Sequence, residues 1–531
     1  MSTIVAADIP PVLIAGTWRP ATVTETYRAF DPTTGRPLET PWPVSGWADA
    51  DAALAAAHVA AGAMARLPDE ARAEFLERYA ARLEARAADL VAAAHTETGL
   101  AVKPRLADVE LPRMLDQLRQ AAAAARAGTW RMAMIDTARN IRSAAFGLGP
   151  VVVLPPGNFP FAYGAVTGGD FAAAIAAGNP VIAKAHPGCP SVSLLAAGEA
   201  VEAVRETGLP PATVQLLHGV APADGERLVA DPRVGATGFT GGHEAGRRLF
   251  AAATAAGRVM WVEMGSLNPV VILPGALAER GATIADELTA SVTGSAGQFC
   301  TKPGVVLFVD DPAGPAFIEA LRDRFTAVGE QVLLGPLGRE RLATGVARLR
   351  DAGARLVAGA ADDAPAATGC RHAATLLEVR AEEFLARPDA FLVEAFGNAT
   401  LLVRAPSVDA VARAVAVVPG ALAASLYLAK DGGDDRATAI IQPLLEARTG
   451  RIIENRMPTG LAVTPPMQHG GPWPSAAPPF FSAVGMPWSL LRFARRLCFD
   501  GFDPTRLPEC LRDTPPPGRP WRFIDHAWTR D

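Results

Sequence analysis

The chain has 531 residues, half of them apolar, enough to bury more than one core, which predicts two or three packed units. Its 50 Lys and Arg against 55 Asp and Glu leave a net charge of -5 without a basic block, which argues against a nucleic-acid or anionic-membrane partner. Five widely spaced cysteines exclude a disulfide framework, and no Cys/His ligand spacing points to zinc, so no metal site is expected.

The N-terminal stretch lacks the basic start and long apolar core of a secretion signal. The longest apolar runs are Ala-rich and broken by charge or Gly within about 20 residues, so no membrane span is expected and a cytoplasmic globular protein is. In chain order, 52–67 reads as an Ala-rich helix. A second helix is predicted from Glu70, with Phe75, Leu76, Tyr79, Leu83, Leu90 and Val91 on one face and Gly99 ending it. From residue 150, apolar runs alternate with helices. Strands are predicted at 151–154, 180–183, 214–217, 235–239 and 259–262, with helices at 161–177, 193–207 and 244–256. Continuous apolar strands separated by helices mark a parallel sheet covered on both faces, a candidate nucleotide-binding unit. A second α/β unit follows, with strands at 270–273, 304–309 and 399–403 and helices near 282–295, 315–328 and 407–416. The last part of the chain is Pro-rich with interspersed Trp and Phe. It reads as an extended arm rather than a disordered tail, because disordered segments are poor in aromatics.

Four segments could carry chemistry. In Pro156-Gly157-Asn158-Phe159-Pro160, Pro160 suits a first helical turn, and Asn158 either caps the turn or faces a ligand at the strand's carboxyl end. Thr237-Gly238-Phe239-Thr240-Gly241-Gly242 leads from strand to helix and could offer backbone N–H groups to a phosphate, although it lacks GxGxxG spacing. Glu263 follows an apolar strand directly; it either reaches solvent or is buried as a general base. Cys300, in Gly297-Gln298-Phe299-Cys300-Thr301, is either a small buried hydrophobe or a thiolate held by backbone N–H groups. No His partner for it can be placed from the sequence.

The order of these segments, with a strand-end Lys184 and a downstream Glu394-Ala395-Phe396-Gly397, resembles the aldehyde dehydrogenase superfamily from about residue 13 to 500. GGDFAAAIAAGNPVIAKAHPG, VEMGSLNPV, SAGQFCTKPG, ENRMPTG, QHGGPWP, RFARRLCFDGF and LPECLRD resemble the branch containing bacterial NADP-dependent aldehyde dehydrogenases and α-ketoglutarate semialdehyde (2,5-dioxopentanoate) dehydrogenases. The resemblance implies an α/β fold with a Rossmann-type cofactor domain (1–125 and 148–266), an α/β catalytic domain (267–465) and oligomerisation segments (126–147 and 466–531) in a homodimer or homotetramer. It implies oxidation of an aldehyde to an acid through a thiohemiacetal and thioester on Cys300. Asn158 and the Cys300 N–H would stabilise the oxyanion, and Glu263 would activate water. Lys184 would bind the adenosine ribose or its phosphate, Gly241 and Gly242 the pyrophosphate through backbone donors, Glu394 the nicotinamide ribose, and Phe396 would pack beside the ring.

Three departures bear on these roles. Pro187 stands where NAD-preferring relatives carry Glu, so NADP is the expected cofactor, with NAD an alternative. Gly242 replaces a Ser, and Asn398 a Pro. For an oxo-acid substrate, Arg105, Arg113 and Arg119 are candidate cations. Phe159, Phe161, Val166 and Phe299 would suit a general aliphatic or aromatic aldehyde equally well. Retention of Cys300, Asn158, Glu263 and Glu394 together argues against a catalytically silent binding protein of the same fold.

Overall fold

The computed structural model describes residues 9–359, 368–479, 484–516 and 518–531. Residues 1–8, read for a secretion signal, and 480–483, at the end of the PPFF run, lie outside them. The predicted apolar runs form five parallel strands: β1 (Val151–Leu154), β2 (Val181–Lys184), β3 (Val214–Leu217), β4 (Ala236–Thr240) and β5 (Val259–Glu263). Their spatial order is β3-β2-β1-β4-β5. Antiparallel edges complete an eight-stranded sheet: Val12–Ile14 with Thr17–Arg19 beyond β3, and Ala476–Ala477 beyond β5. The chain leaves β1 for β2 on one side, and β4 continues to β5 on the other. The crevice between the β1 and β4 carboxyl ends is where such a sheet accepts a ligand, and Asn158 and Gly241-Gly242 sit there.

A second sheet holds β6 (Val270–Ile272), β7 (Val305–Val309), β8 (Thr375–Arg380), β9 (Ala399–Ala405), β10 (Ala424–Tyr427) and β11 (Ile452–Glu454), in the parallel order β8-β9-β7-β6-β10-β11. Arg355–Ala358 adds an antiparallel edge to β8. A five-stranded sheet joins distant parts of the chain: Ala494–Asp500, Ile141–Gly147, Met134–Asp136, Arg522–Ile524 and Ala527–Thr529. Residues 466–531, expected as an arm, divide their contacts. Ala494–Asp500 and the C-terminal hairpin build this separate sheet, whereas Ala476–Ala477 extends the first sheet beside Glu263.

Two helices differ from expectation. The helix expected over 161–177 spans only Gly169–Ala176, so Pro160 begins a run of turns rather than a first helical turn. Gly164 and Gly168 let those turns stack: a Cβ on Gly168 would stand 2.6 Å from the Tyr163 carbonyl carbon. The helix expected from Glu70 to Gly99 is broken at Arg86, whose φ of -101° and ψ of 15° separate Asp69–Ala85 from Ala87–Thr98. Gly99 ends the second at a φ of +66°, a left-handed cap that glycine adopts without steric cost.

Candidate active site

Glu263 is the last residue of β5, in register with Thr240 on one side and Ala476 on the other. Position at a strand end does not bring it to solvent: Glu263 is 5 % exposed. Neither carboxylate oxygen has an aligned hydrogen bond among the described residues. A buried carboxylate without aligned donors is costly to keep in the fold.

Cys300 follows the helix Pro274–Thr293 across a tight loop in which Ser295, Ala296 and Gly297 have φ of 49°, 52° and 67°. Left-handed backbone costs about 1–2 kcal/mol per non-glycine residue, so the surroundings must impose this shape. The packing explains Gly297, since a Cβ there would fall on the Gly397 carbonyl group. The segment after Glu263 supplies the clamp: Asn268 Nδ2 donates to the carbonyls of Cys300 at 2.8 Å and Lys302 at 3.0 Å. Lys302 then donates to Ala395 O at 3.1 Å and Ala399 O at 2.6 Å, tying the cysteine loop to the Glu394-Ala395-Phe396-Gly397 turn.

The thiol is not a resting thiolate. Burial pushes the Cys300 pKa well up and the nearby Glu263 charge adds to this, while Arg113 opposes both. An imidazole that sequence spacing did not reveal meets the thiol: His469 Nε2 lies 3.3 Å from Cys300 Sγ and 2.8 Å from Glu263 Oε1. His469 is 1 % exposed, and Tyr163 packs edge-on against its ring at 6.1 Å. Its only sequence signal is the QHGGPWP segment, 169 residues beyond Cys300 in a stretch without periodicity. Asn158 is also buried beside the loop, and its Nδ2 donates to Gln298 O at 2.9 Å. That bond uses one of the two amide hydrogens and leaves a second donor on the same group.

The residues expected to hold a nucleotide line the strand ends. Lys184 closes β2, is half-buried, and makes no ion pair among the described residues; burial pushes it down to about 8. Pro187 is exposed beyond it. Between them His186 lies over Gly157, where a Cβ would stand 2.6 Å from the ring. Gly241 and Gly242 precede the helix His243–Ala255, and space beside Gly242 is open up to the Arg341 guanidinium, 3.8 Å from where a Cβ would be. Arg341 comes from another helix and was not identified in the sequence. Glu394 Oε1 accepts from Ser266 N at 2.9 Å, and Gly265 lies beneath the carboxylate where a side chain would collide with it. Phe396, two residues on, is half-buried. Asn398 is fully buried and donates to Gln331 Oε1 at 3.1 Å and His372 O at 3.0 Å, so this departure from Pro gains a polar anchor.

Of the three arginines considered for a substrate carboxylate, Arg119 pairs with Glu84 on the surface at 2.6 Å. Arg105 pairs with the buried Glu110 and donates to Asn158 O at 2.9 Å, so it buttresses the loop. Arg113 pairs with no carboxylate among the described residues and lies 5.6 Å from the Phe159 ring centre and 5.3 Å from that of Tyr163. Arg451, not anticipated, is half-buried. Burial lowers its pKa, with Cys300 and Tyr163 partly opposing, and its guanidinium reaches Gly460 O at 3.1 Å and Pro458 O at 2.5 Å.

Residues 18–476 match the aldehyde dehydrogenase family model. The chain is 39 % identical over 511 residues to alpha-ketoglutaric semialdehyde dehydrogenase 2 of Azospirillum brasilense, covering 92 % of this chain and 94 % of that protein. It is 31 % identical over 480 residues to the alpha-ketoglutaric semialdehyde dehydrogenase of Acinetobacter baylyi, covering 88 % and 89 %. Among solved structures, a mutant aldehyde dehydrogenase C of Pseudomonas syringae, complexed with NAD+ and octanal, superposes with a TM-score of 0.79 at 20 % identity, covering 96 % of this chain and all of that one. With its parallel sheets, its cysteine loop and the match over most of its length, the chain belongs to the aldehyde dehydrogenase family.

Proposed function

We propose that this enzyme oxidises an oxo-acid semialdehyde, of the α-ketoglutaric (2,5-dioxopentanoate) kind, to the corresponding dicarboxylic acid. The observation that carries the substrate reading is the pair Arg113 and Arg451, two cations with no carboxylate partner among the described residues, both electrostatically coupled to the Cys300 thiol. A simple aliphatic or aromatic aldehyde would leave both uncompensated, whereas a distal carboxylate would pair with them. The names of the two relatives point to the same substrate class.

The residues divide the chemistry as follows. His469 or Glu263 takes the Cys300 proton, and the thiolate attacks the aldehyde carbon. The second Asn158 N–H and the Cys300 backbone N–H stabilise the oxygen as it gains charge. Bound NAD(P)+ supplies the hydride acceptor. Its fit rests on the Lys184 amine, which has no ion-pair partner among the described residues, the open backbone at Gly241-Gly242 with Arg341 nearby, and the Glu394-Ala395-Phe396 segment. Once a thioester stands on Cys300, Glu263 removes a proton from water, and hydrolysis frees the acid and the thiol. NADP is favoured within this reading because Pro187 places no carboxylate against a 2′-phosphate, and Lys184 offers it a cation. The open edge of Ala494–Asp500 in the separate sheet supports a homodimer or homotetramer. No described helix is long and apolar enough to cross a membrane; a cytoplasmic enzyme acting on a small aldehyde belongs to the same reading.

The test compares 2,5-dioxopentanoate with pentanal and benzaldehyde, using each cofactor and following reduced-cofactor absorbance. The oxo-acid should exceed the others in kcat/KM by about tenfold or more. Equal values would remove the substrate reading while leaving the dehydrogenase intact.

A further inference from the structure

The contact of His469 with both Cys300 and Glu263 gathers a sulfur, an imidazole nitrogen and a carboxylate at one point. One ring nitrogen carries either one N–H or one lone pair. If Nε2 accepts from the thiol, its lone pair faces the Glu263 oxygen at 2.8 Å; if it donates to that oxygen, the thiol is left to donate to Glu263 instead. Neither Glu263 oxygen receives an aligned hydrogen bond among the described residues, and the side chain is buried. A cation between the three groups would be met by all of them at once.

The distances permit one. The Cys300 Sγ, the His469 Nε2 and a Glu263 carboxylate oxygen lie within 4.8 Å of one another. Tetrahedral zinc, with Zn–S of about 2.3 Å and Zn–N and Zn–O of about 2.0–2.2 Å, separates its ligands by about 3.3–3.6 Å. The sulfur and nitrogen already stand 3.3 Å apart. The nitrogen and oxygen, at 2.8 Å, need to open by roughly 0.5 Å. A cavity lined by Thr240, Asp170 and Arg492 adjoins two of the three groups, Glu263 and His469. The sulfur, imidazole and carboxylate set suits Zn2+ and Co2+ over Mg2+ or Ca2+, which prefer oxygen.

We propose that Cys300, His469 and Glu263 form a three-ligand site for a thiophilic divalent cation, zinc above all, and that its occupancy holds the enzyme inactive. The site stands on geometry alone; its inhibitory effect rests on the catalytic roles proposed for Cys300 and Glu263. Binding forms an S–Zn bond as the Sγ–H bond breaks, and the proton passes to solvent, one per ion, with no change in oxidation state. While the ion is bound, the sulfur lone pair is unavailable to an aldehyde and the carboxylate cannot accept a proton from water. Chelation restores both, and the coordinated sulfur is shielded from oxidants meanwhile.

The experiment uses full-length protein purified with chelator and exchanged into metal-free buffer. Co2+ should bind one per chain with a thiolate-to-cobalt charge-transfer band, and Zn2+ should displace it. One proton should be released per ion, and turnover should fall in parallel and return with EDTA. Cys300→Ser should remove the band. His469→Gln and Glu263→Gln, each checked by thermal unfolding, should weaken Zn2+ binding by about tenfold or more. Cys498→Ser and Cys510→Ser should leave the band intact. A band that survives Cys300→Ser would overturn the site, as would Zn2+ affinity unchanged in both His469→Gln and Glu263→Gln. If cobalt binds as described to protein that oxidises no aldehyde, the metal site stands and the functional reading falls.

Discussion

Asn268 holds the carbonyl of Cys300 from 2.8 Å, although the two residues lie 32 positions apart. Asn268 has a φ of 42°, and its Oδ1 accepts from Ser266 Oγ at 2.8 Å, so the side chain is fixed at both ends. The segment that begins with Glu263 therefore also holds the Cys300 loop. Replacing Asn268 with Ala would leave two buried carbonyls without this donor. The expected loss is about 2–4 kcal/mol in denaturant unfolding, with a lower kcat and little change in cofactor Kd. Unchanged stability and kcat would show that the clamp does not hold the loop.

The pH dependence follows from the thiol. Burial and the Glu263 charge raise its pKa in the folded enzyme, so the protonated form dominates at neutral pH and the thiolate fraction grows as pH rises. The hydride burst under single-turnover conditions should climb from about pH 6 to about pH 9. Arg113 opposes the rise, so Arg113→Met should move the climb to higher pH. A flat burst rate in the wild type, or a shift to lower pH in the variant, would contradict this assignment.

The parts readable in advance are those set by local pattern. The apolar runs at β1 to β5 announce themselves because a strand buried on both faces has no polar side to interrupt it. The helix at 161–177 misled because Phe161, Ala162 and Val166 look helical, while Gly164 and Gly168 permit stacked turns that no periodicity records. His469 and Arg451 were missed for a different reason. Each reaches Cys300 only through the fold, His469 from a Pro- and Gly-rich segment and Arg451 from just before β11, and neither spacing nor residue type marks such a neighbour. Arg105 was legible as a cation, but its pairing with Glu110 was not.

Glu110 is buried and serves three partners. Its Oε1 accepts from Phe161 N at 2.8 Å and Ala162 N at 3.0 Å, and its Oε2 meets Arg105. Through Arg105 it also steadies the Asn158 carbonyl. Removing one member of a buried pair costs about 3–5 kcal/mol because the other charge is stranded. Glu110→Ala should therefore destabilise the fold by that order in urea unfolding and lower kcat by loosening Asn158. Stability within about 0.5 kcal/mol of wild type would mean that the pair is not structural.

On the proposed cofactor reading, Lys184 would tie cofactor choice to pH. Its ammonium is pushed down to about 8 by burial, with the nearby Cys189 opposing. A lowered amine pKa means that the charge is complete well below pH 8 and is lost as pH rises through that value. A 2′-phosphate needs that charge more than a 2′-hydroxyl does, because its own charge must be compensated. The KM for NADP+ should therefore rise above about pH 8 while the KM for NAD+ changes less, and Lys184→Met should affect NADP+ more at neutral pH than above that value. Bound phosphate favours the ammonium, so saturating NADP+ should delay the loss to higher pH. Parallel pH profiles for the two cofactors, or equal effects of Lys184→Met on both, would place the 2′-phosphate away from Lys184 and leave Arg341, on the far side of the Gly241-Gly242 turn, to be tested by the same comparison.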